Sequence, residues 1–351
     1  MPLSKIQGIK GQVVPNFGRR NVIINGAMQL DQRNSGALTA TANNTCFLDR
    51  WKLYLNGSCA VSTQQLPATD SNVSSLHTAS GETFTNIMSI DCTTAASLGS
   101  TDLLGVLQLI EGTNSIPLAG RSCTLSFYVK TNVTGQYYVT FKIGSGRAYI
   151  APYTVSTANT WEKKTITLTM DTLANLNTSG SITTSAGFQV YFGLRLGTSS
   201  QQSTTINAWH NGNFYGTSSQ VTWGTNTSDT FYMSGVQLEI GNAATDFEHR
   251  SFGEELALCQ RYFETGVFSQ RISGSIVRTG QSYMTTKRSS ATVNVYYDSN
   301  KAAAGTINIS NSADSGWAEG GSINFWNMEK NTGSDHNGRD YNGFFTAEAE
   351  L

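Results

Sequence analysis

The sequence is poor in charge. Asp, Glu, Lys and Arg make up only 13% of its 351 residues, against about 25% in an ordinary soluble domain. With 23 basic and 24 acidic residues the net charge is −1, so no field draws the chain onto a polyanion. Arg19-Arg20 is too short to act as a basic arm, and nucleic acid is not an expected partner. No run of about 18 apolar residues occurs, so no membrane-spanning helix is expected. Residues 1–7 lack the apolar core of a signal peptide, and none is expected. Histidine is scarce: His77, His210, His249 and His336 lie far apart and fit neither HExxH nor a Cys/His zinc spacing. The five cysteines, at 46, 59, 92, 123 and 259, are odd in number and form no CxxC. They read as small buried thiols of a protein made in a reducing cytosol, not as a disulfide framework. Neither GxSxG nor GxxxxGK[ST] is present.

Ser, Thr, Asn and Gly take the place of charge, a mix that suits strands and turns. Sixteen Phe, 14 Tyr and 6 Trp exclude a disordered chain. Residues 1–20 hold two of the five prolines and no sustained period. They are expected to be an arm that anchors on another subunit through Ile6, Ile9, Val13 and Phe17.

From residue 21 onward, strand signals recur between turn signals. Candidates are 21–30 (with a break at Asn25-Gly26), 47–55, 59–65, 87–92, 103–110, 123–130, 137–143, 161–170, 188–196 and 230–240. In 47–55, alternation puts Phe47, Asp49, Trp51, Leu53 and Leu55 on one face and Arg50 on the other. The pattern predicts an all-β chain with an antiparallel β-sandwich or jelly roll over 21–250.

One stretch departs from period two. Phe252, Leu256, Cys259 and Phe263 recur at helical spacing, with Ser251 as N-cap and Glu254 as its capping-box partner. A linking helix is expected over 251–266, ended by Gly266. Short strand signals resume at 267–277, 282–286, 291–297, 305–309, 322–326 and 343–351, enough for a smaller C-terminal β domain over 267–351.

Chemistry is thinly signalled. Asp31, Asp49, Glu111, Asp229, Glu239, Asp246 and Glu248 are scattered and show no glycosidase pair, so no catalytic residue is assigned. Loop aromatics are the better lead. Trp209, His210, Asn213, Tyr215 and Trp223 sit among Gly and Asn, where exposed rings can stack on sugar C–H groups and amides can bond hydroxyls. The alternative is a long loop folded over the sandwich with these rings as its own core.

Three groups of residues carry a resemblance. Asn21-Val22-Ile23-Ile24-Asn25-Gly26-Ala27-Met28, Gln32-Arg33 and Leu48-Asp49-Arg50-Trp51 form the first. The second runs from Ser234 through Gly241 and Ala244-Thr245-Asp246-Phe247-Glu248 to Glu254–Phe263, and the third is Phe344 to Leu351. Together they resemble a family of phage and prophage virion proteins described as tail fibre or minor structural proteins. The middle, Leu118-Ala119-Gly120 before CTLSFYVK and then Trp161, is similar to carbohydrate-binding jelly rolls. The resemblance implies a non-enzymatic virion protein made in the bacterial cytoplasm, with other virion proteins and host-surface glycan as partners. It implies a homo-oligomer, a trimer by family analogy, and leaves room for structural calcium with no ligand assigned. A head fibre or capsid decoration protein, and a polysaccharide depolymerase, remain as alternatives.

Overall fold

The computed structural model describes residues 19–176, 185–198, 201–272, 276–296, 306–309, 312–315, 318–321, 324–331 and 339–350. Ile6, Ile9, Val13 and Phe17 lie outside them. Two antiparallel sheets form a sandwich from the strands β1 (Thr39–Ala40), β2 (Thr45–Leu48), β3 (Trp51–Asn56), β4 (Ala60–Pro67), β5 (Asn86–Thr94), β6 (Leu103–Glu111), β7 (Ser122–Thr131), β8 (Gly135–Ile143), β9 (Arg147–Val155), β10 (Glu162–Thr169), β11 (Ala186–Leu196), β12 (Trp209–Asn211) and β13 (Thr230–Ile240). One sheet has the order β1-β4-β5-β13-β7-β10 and the other β12-β9-β8-β11-β6-β3-β2. The chain crosses between sheets at β1–β2, β3–β4, β5–β6, β6–β7, β7–β8, β9–β10, β10–β11 and β12–β13, the connectivity of a jelly roll.

Alternation explains the layers. Leu125, Phe127 and Val129 of β7 face Tyr137, Val139 and Phe141 of β8 and Val190, Phe192 and Leu194 of β11 across one continuous core. Its centre is aromatic: Phe127 meets Tyr153 and Phe192 edge-on at ring distances of 5.1 Å, and Trp51 lies 6.1 Å from Phe192. Two elements lie outside the expected set: β9, whose strand signal Pro152 breaks, and the helix Ser71–Ser80, capped by Asp70 and Gly81. That helix covers the outer face of the first sheet through Val73 and Leu76, against Phe84, Tyr128 and Trp161.

Residues 21–30 are a correction. They form no strand but a buried plug between the sandwich and the helix Phe252–Gln260. Asn21 donates from Nδ2 to Val236 O (3.0 Å) and accepts from Leu238 N, while Asn25 Nδ2 donates to Leu30 O and Asp49 O. Asn25 stands at φ 56, which Asn tolerates better than most residues. Gly26 is required by space, since a Cβ there would come within 2.1 Å of Val236 O. Two backbone bonds to β13, Val22 N to Leu238 O and Val236 N to Gly26 O, join the plug to the sheet, and polar side chains supply most of the rest of what a ladder would have given.

The segment 47–55 is also corrected: it is not one strand but the hairpin β2–β3, turning at Asp49-Arg50. Trp51 is in the core as expected, and Arg50 takes φ 71. Asp49 and Arg50 are both buried, not exposed at a sheet end. The Arg50 guanidinium lies 3.5 Å over the Tyr262 ring, donates to Leu109 O (2.5 Å) and pairs with Glu350.

The helix carries the anticipated capping box of Ser251 and Glu254, but it ends at Gln260. Its buried residues are Glu255 and Cys259, while Phe252 is exposed. Glu255 accepts from Asn25 N (2.5 Å) and pairs with Arg250. Phe263 and Gly266 lie in the strand Phe263–Ile272, which pairs over its whole length with Arg339–Glu348. Thr292–Tyr296 and Thr306–Ile309 also pair with Arg339–Glu348. A second core of Phe268, Tyr283, Val293, Val295, Phe345 and Ala347 forms there. The segment 282–286, expected as a strand, forms none beyond Ser282.

Removing one member of the Arg50–Glu350 pair leaves a buried charge unmatched. Glu350→Ala is expected to cost about 3–5 kcal/mol in urea unfolding, while Arg50→Met with Glu350→Leu recovers most of the loss. Additive losses in that double-mutant cycle would show that the two side chains are not coupled.

Candidate functional site

The edges β10 and β12 lie on the same side of the sandwich. There β12 pairs with β9, placing Trp209 opposite Tyr149 and Asn211 opposite Arg147. The Trp209 ring is half-buried and 5.6 Å from the Tyr149 ring at 57°. Its Nε1–H donates to Thr169 O of β10 at 2.8 Å, so one indole bridges the two sheet edges. Asn207, at φ 55, donates from its backbone N to Ile150 O (2.8 Å) and brings its residue to the same opening.

These residues, with Ser122, Thr167, Leu168, Thr169 and Ala208, line a cavity of about 420 Å³. Arg147 braces it through Asp171 and Asn211, whose Oδ1 accepts from Arg147 at 2.9 Å. That ion pair and the amides on Asp171 hold its carboxyl below the usual range, against the opposing effect of burial. The cavity offers the half-buried Trp209 ring beside the buried Tyr149 ring, the Asn207 amide and three hydroxyls, of which Thr167 also bonds Thr124 and Ser122 donates to Gly241 O. Such a lining binds neutral polyhydroxylated ligands by stacking and hydrogen bonding.

Of the five loop residues singled out in the sequence, only Trp209 lines this cavity. His210 points away from it: its ring stacks on Phe214 at 5.0 Å and its Nε2 bonds Ser203 Oγ at 2.9 Å. Asn213 is exposed but accepts from Lys142 Nζ at 2.6 Å. Tyr215 is 7% exposed and belongs to a buried cluster with Leu103, Leu107 and Tyr191. Trp223 is fully enclosed in the main core. For Tyr215 and Trp223 the folded-loop reading holds. Tyr149, Asn207, Ser122, Thr167 and Thr169 carry no distinct signal in the sequence, because Pro152 masks the strand that holds Tyr149 and a Thr on an edge strand looks like any solvent-facing Thr.

The same loop explains why the outer face of the second sheet is closed. Tyr215 stacks on Tyr54 (5.8 Å) and meets Tyr191 edge-on (5.0 Å). Tyr138 bonds Thr217 at 2.5 Å, Thr140 Oγ1 donates to Tyr215 O, and Gln220 Nε2 donates to Gly193 O. Lys142 is the unusual member. Its ammonium is buried 3.3 Å over the Tyr215 ring, and burial lowers it to about 7.

No family model and no curated protein matches the chain. Among solved structures it is similar to the enzymatically active domain of tailspike protein 4 of bacteriophage CBA120, at 12% identity and a TM-score of 0.31 over 66% of this chain. It spans about a quarter (24%) of that protein's length. It is also similar to TmCBM61 in complex with β-1,4-galactotriose (8% identity, TM-score 0.32, 64% of this chain and 100% of that one). A third is the family 11 carbohydrate-binding module from Clostridium thermocellum in complex with a mixed-linked tetrasaccharide (13%, 0.28, 60% and 97%). Likeness at this level bears on neither ligand nor activity, and the two-sheet connectivity defines the fold by itself. Among the described residues no group of three or more His, Cys, Asp or Glu is placed to hold a metal ion, and no helix is long and apolar enough to cross a membrane.

The two tryptophans separate by stability. Trp223→Ala empties core volume and is expected to cost about 3–5 kcal/mol, while Trp209→Ala costs about 1–2 kcal/mol in the same urea titration. Equal losses would make Trp209 a core residue. Lys142 gives a pH signature. Its amine is lowered from 10.5 to about 7, so between those values the unfolded chain binds more protons and stability rises with pH, by up to about 1.4 kcal/mol per unit. Lys142→Met removes that slope. A stability difference between the two proteins that does not change from about pH 7 to 10 contradicts the assignment.

Proposed function

We propose that this chain is a glycan-binding, non-catalytic subunit of a bacteriophage particle, a tail fibre or spike that attaches to host-surface glycan. The edge cavity between Trp209, Tyr149 and the hydroxyls of Ser122, Thr167 and Thr169 carries the glycan-binding part. It has the stacking surface and hydroxyl partners that a sugar needs and no buried unpaired charge to neutralise. The acids near or behind the sandwich are already engaged: Asp171 with Arg147, Asp102 with Arg195, and Glu111 with Arg261. That favours binding over a depolymerase, which needs two carboxyls free to face a scissile bond.

The virion role is supported by the resemblance of residues 21–28, 32–33, 48–51, 234–241, 244–248, 254–263 and 344–351 to phage structural proteins. Most of these segments meet in one place, the junction of plug, helix and C-terminal strand. In this reading the particle is its final location and residues 1–20 attach it to another virion protein.

The test is a panel of immobilised bacterial surface polysaccharides probed with the wild-type protein, Trp209→Ala and Tyr149→Ala. Wild-type protein is expected to bind at least one, and Trp209→Ala to lose about tenfold or more in affinity, some 1.4 kcal/mol. Binding undiminished by both substitutions, or no binding to any polysaccharide, would sink the proposal.

A further inference from the structure

Two buried thiols lie side by side near one end of the first sheet. Cys59 stands just before β4 and Cys92 lies in β5, and their sulfurs are 4.0 Å apart. Both are 3% exposed and face the main core. The ladder between the strands shifts register here, with Ala60 opposite Thr94 and Val61 opposite Cys92. That bulge draws two diagonal positions together. The other three cysteines have no such neighbour: Cys123 is in the core beside β13, Cys46 is in β2, and Cys259 is under the 21–30 plug.

We infer that Cys59 and Cys92 form an oxidisable pair that closes to an intramolecular disulfide when the protein meets a small disulfide oxidant. The separation exceeds a disulfide bond by about 2 Å, a gap that side-chain rotation across paired strands can close. The step balances as thiol–disulfide exchange. One thiol loses its proton and attacks the oxidant's disulfide, releasing one small thiol and leaving a mixed disulfide. The second cysteine's thiolate then displaces the other small thiol, forming the Cys59–Cys92 bond. Two protein thiols are oxidised and one oxidant disulfide is reduced to two thiols.

The surroundings set the rate and the consequence. Burial raises both thiols, Cys92 to about 12, so little thiolate is present at neutral pH and closure is slow there. The pair stays reduced in a thiol-rich cytosol and closes outside it. The bond would close a loop that contains the helix Ser71–Ser80 and tie it to the first sheet. It would also fix the turn beside it, where Cys92 N donates to Asp229 O (2.9 Å) and Ala96 N donates to Gly224 O (3.1 Å).

The test incubates the folded full-length chain with glutathione disulfide at about pH 8.5, then unfolds it, alkylates it and measures its mass. The five thiols are expected to fall to three, with a linked peptide joining Cys59 to Cys92 and a melting temperature higher by about 5 °C. Cys59→Ser and Cys92→Ser should each keep their four remaining thiols under the same treatment. Five surviving thiols in the wild type, glutathione adducts without the linked peptide, or a link to another cysteine would overturn the inference. So would a linked form that melts below the reduced one, because the bond would then be incompatible with the native sheet.

Discussion

The Arg50 guanidinium is the charge on which the joining of this chain's parts depends. It sits 3% exposed at the turn of a hairpin. A buried cation is tolerated only when fully partnered. Its partners come from three places: Leu109 O in the sandwich, the Tyr262 ring just after the helix, and Glu350 at the end of the last strand. Neighbouring pairs follow the same plan. Arg33 lies 3.8 Å over Phe263 and binds Glu348 and Glu350, Arg261 and Tyr262 both bond Glu111, and Lys287 pairs with Glu264. Sandwich, helix and C-terminal sheet are therefore joined by ion pairs that are buried at Arg50 and Lys287 and partly exposed at Arg33 and Arg261, and are not beads on a flexible linker.

This junction fixes the rest of the layout. The 21–30 plug satisfies its backbone through Asn21, Asn25 and Gln108 and closes the gap between β13 and the helix. The C-terminal sheet lies against Arg33, just past the 21–30 plug, and against the 47–55 hairpin, the 201–222 loop packs on Tyr54, Tyr191 and Tyr138 of the second sheet, and among the described residues the edges β10 and β12 border an open cavity. The Trp209 indole holds that opening by bonding across it, so the residue that shapes the cavity also offers its ring to it.

Much of the sandwich is legible in the sequence, because a half-buried strand prints its alternation directly. The stretch 230–240 matches β13 residue for residue, and β6, β7, β8, β10 and β11 differ from expectation only at their ends. The failures have specific physical causes. Residues 21–30 are apolar around a central Asn25-Gly26, like a strand signal, yet most of their hydrogen bonds go to side chains that sequence order cannot pair with them. The 47–55 alternation survives the Asp49-Arg50 turn because a tight hairpin can keep the apolar residues on one side. Gly266 looks like a helix stop, but strand pairing with Arg339–Glu348 takes over from Phe263. At the site, Trp209 was visible as a loop aromatic, whereas Tyr215 and Trp223 carry the same local signal and are buried by contacts from β8, β11 and β13. Composition marks an aromatic loop; only tertiary packing says which of its rings face outward.

The most direct measurement is a titration of the six indole N–H resonances of the isotopically labelled protein with a glycan that it binds. The account predicts that the Trp209 resonance moves in proportion to saturation while those of Trp51 and Trp223 stay fixed, since both are enclosed in the core. Saturable binding that leaves Trp209 unmoved would place the ligand elsewhere and contradict the edge cavity as the glycan site.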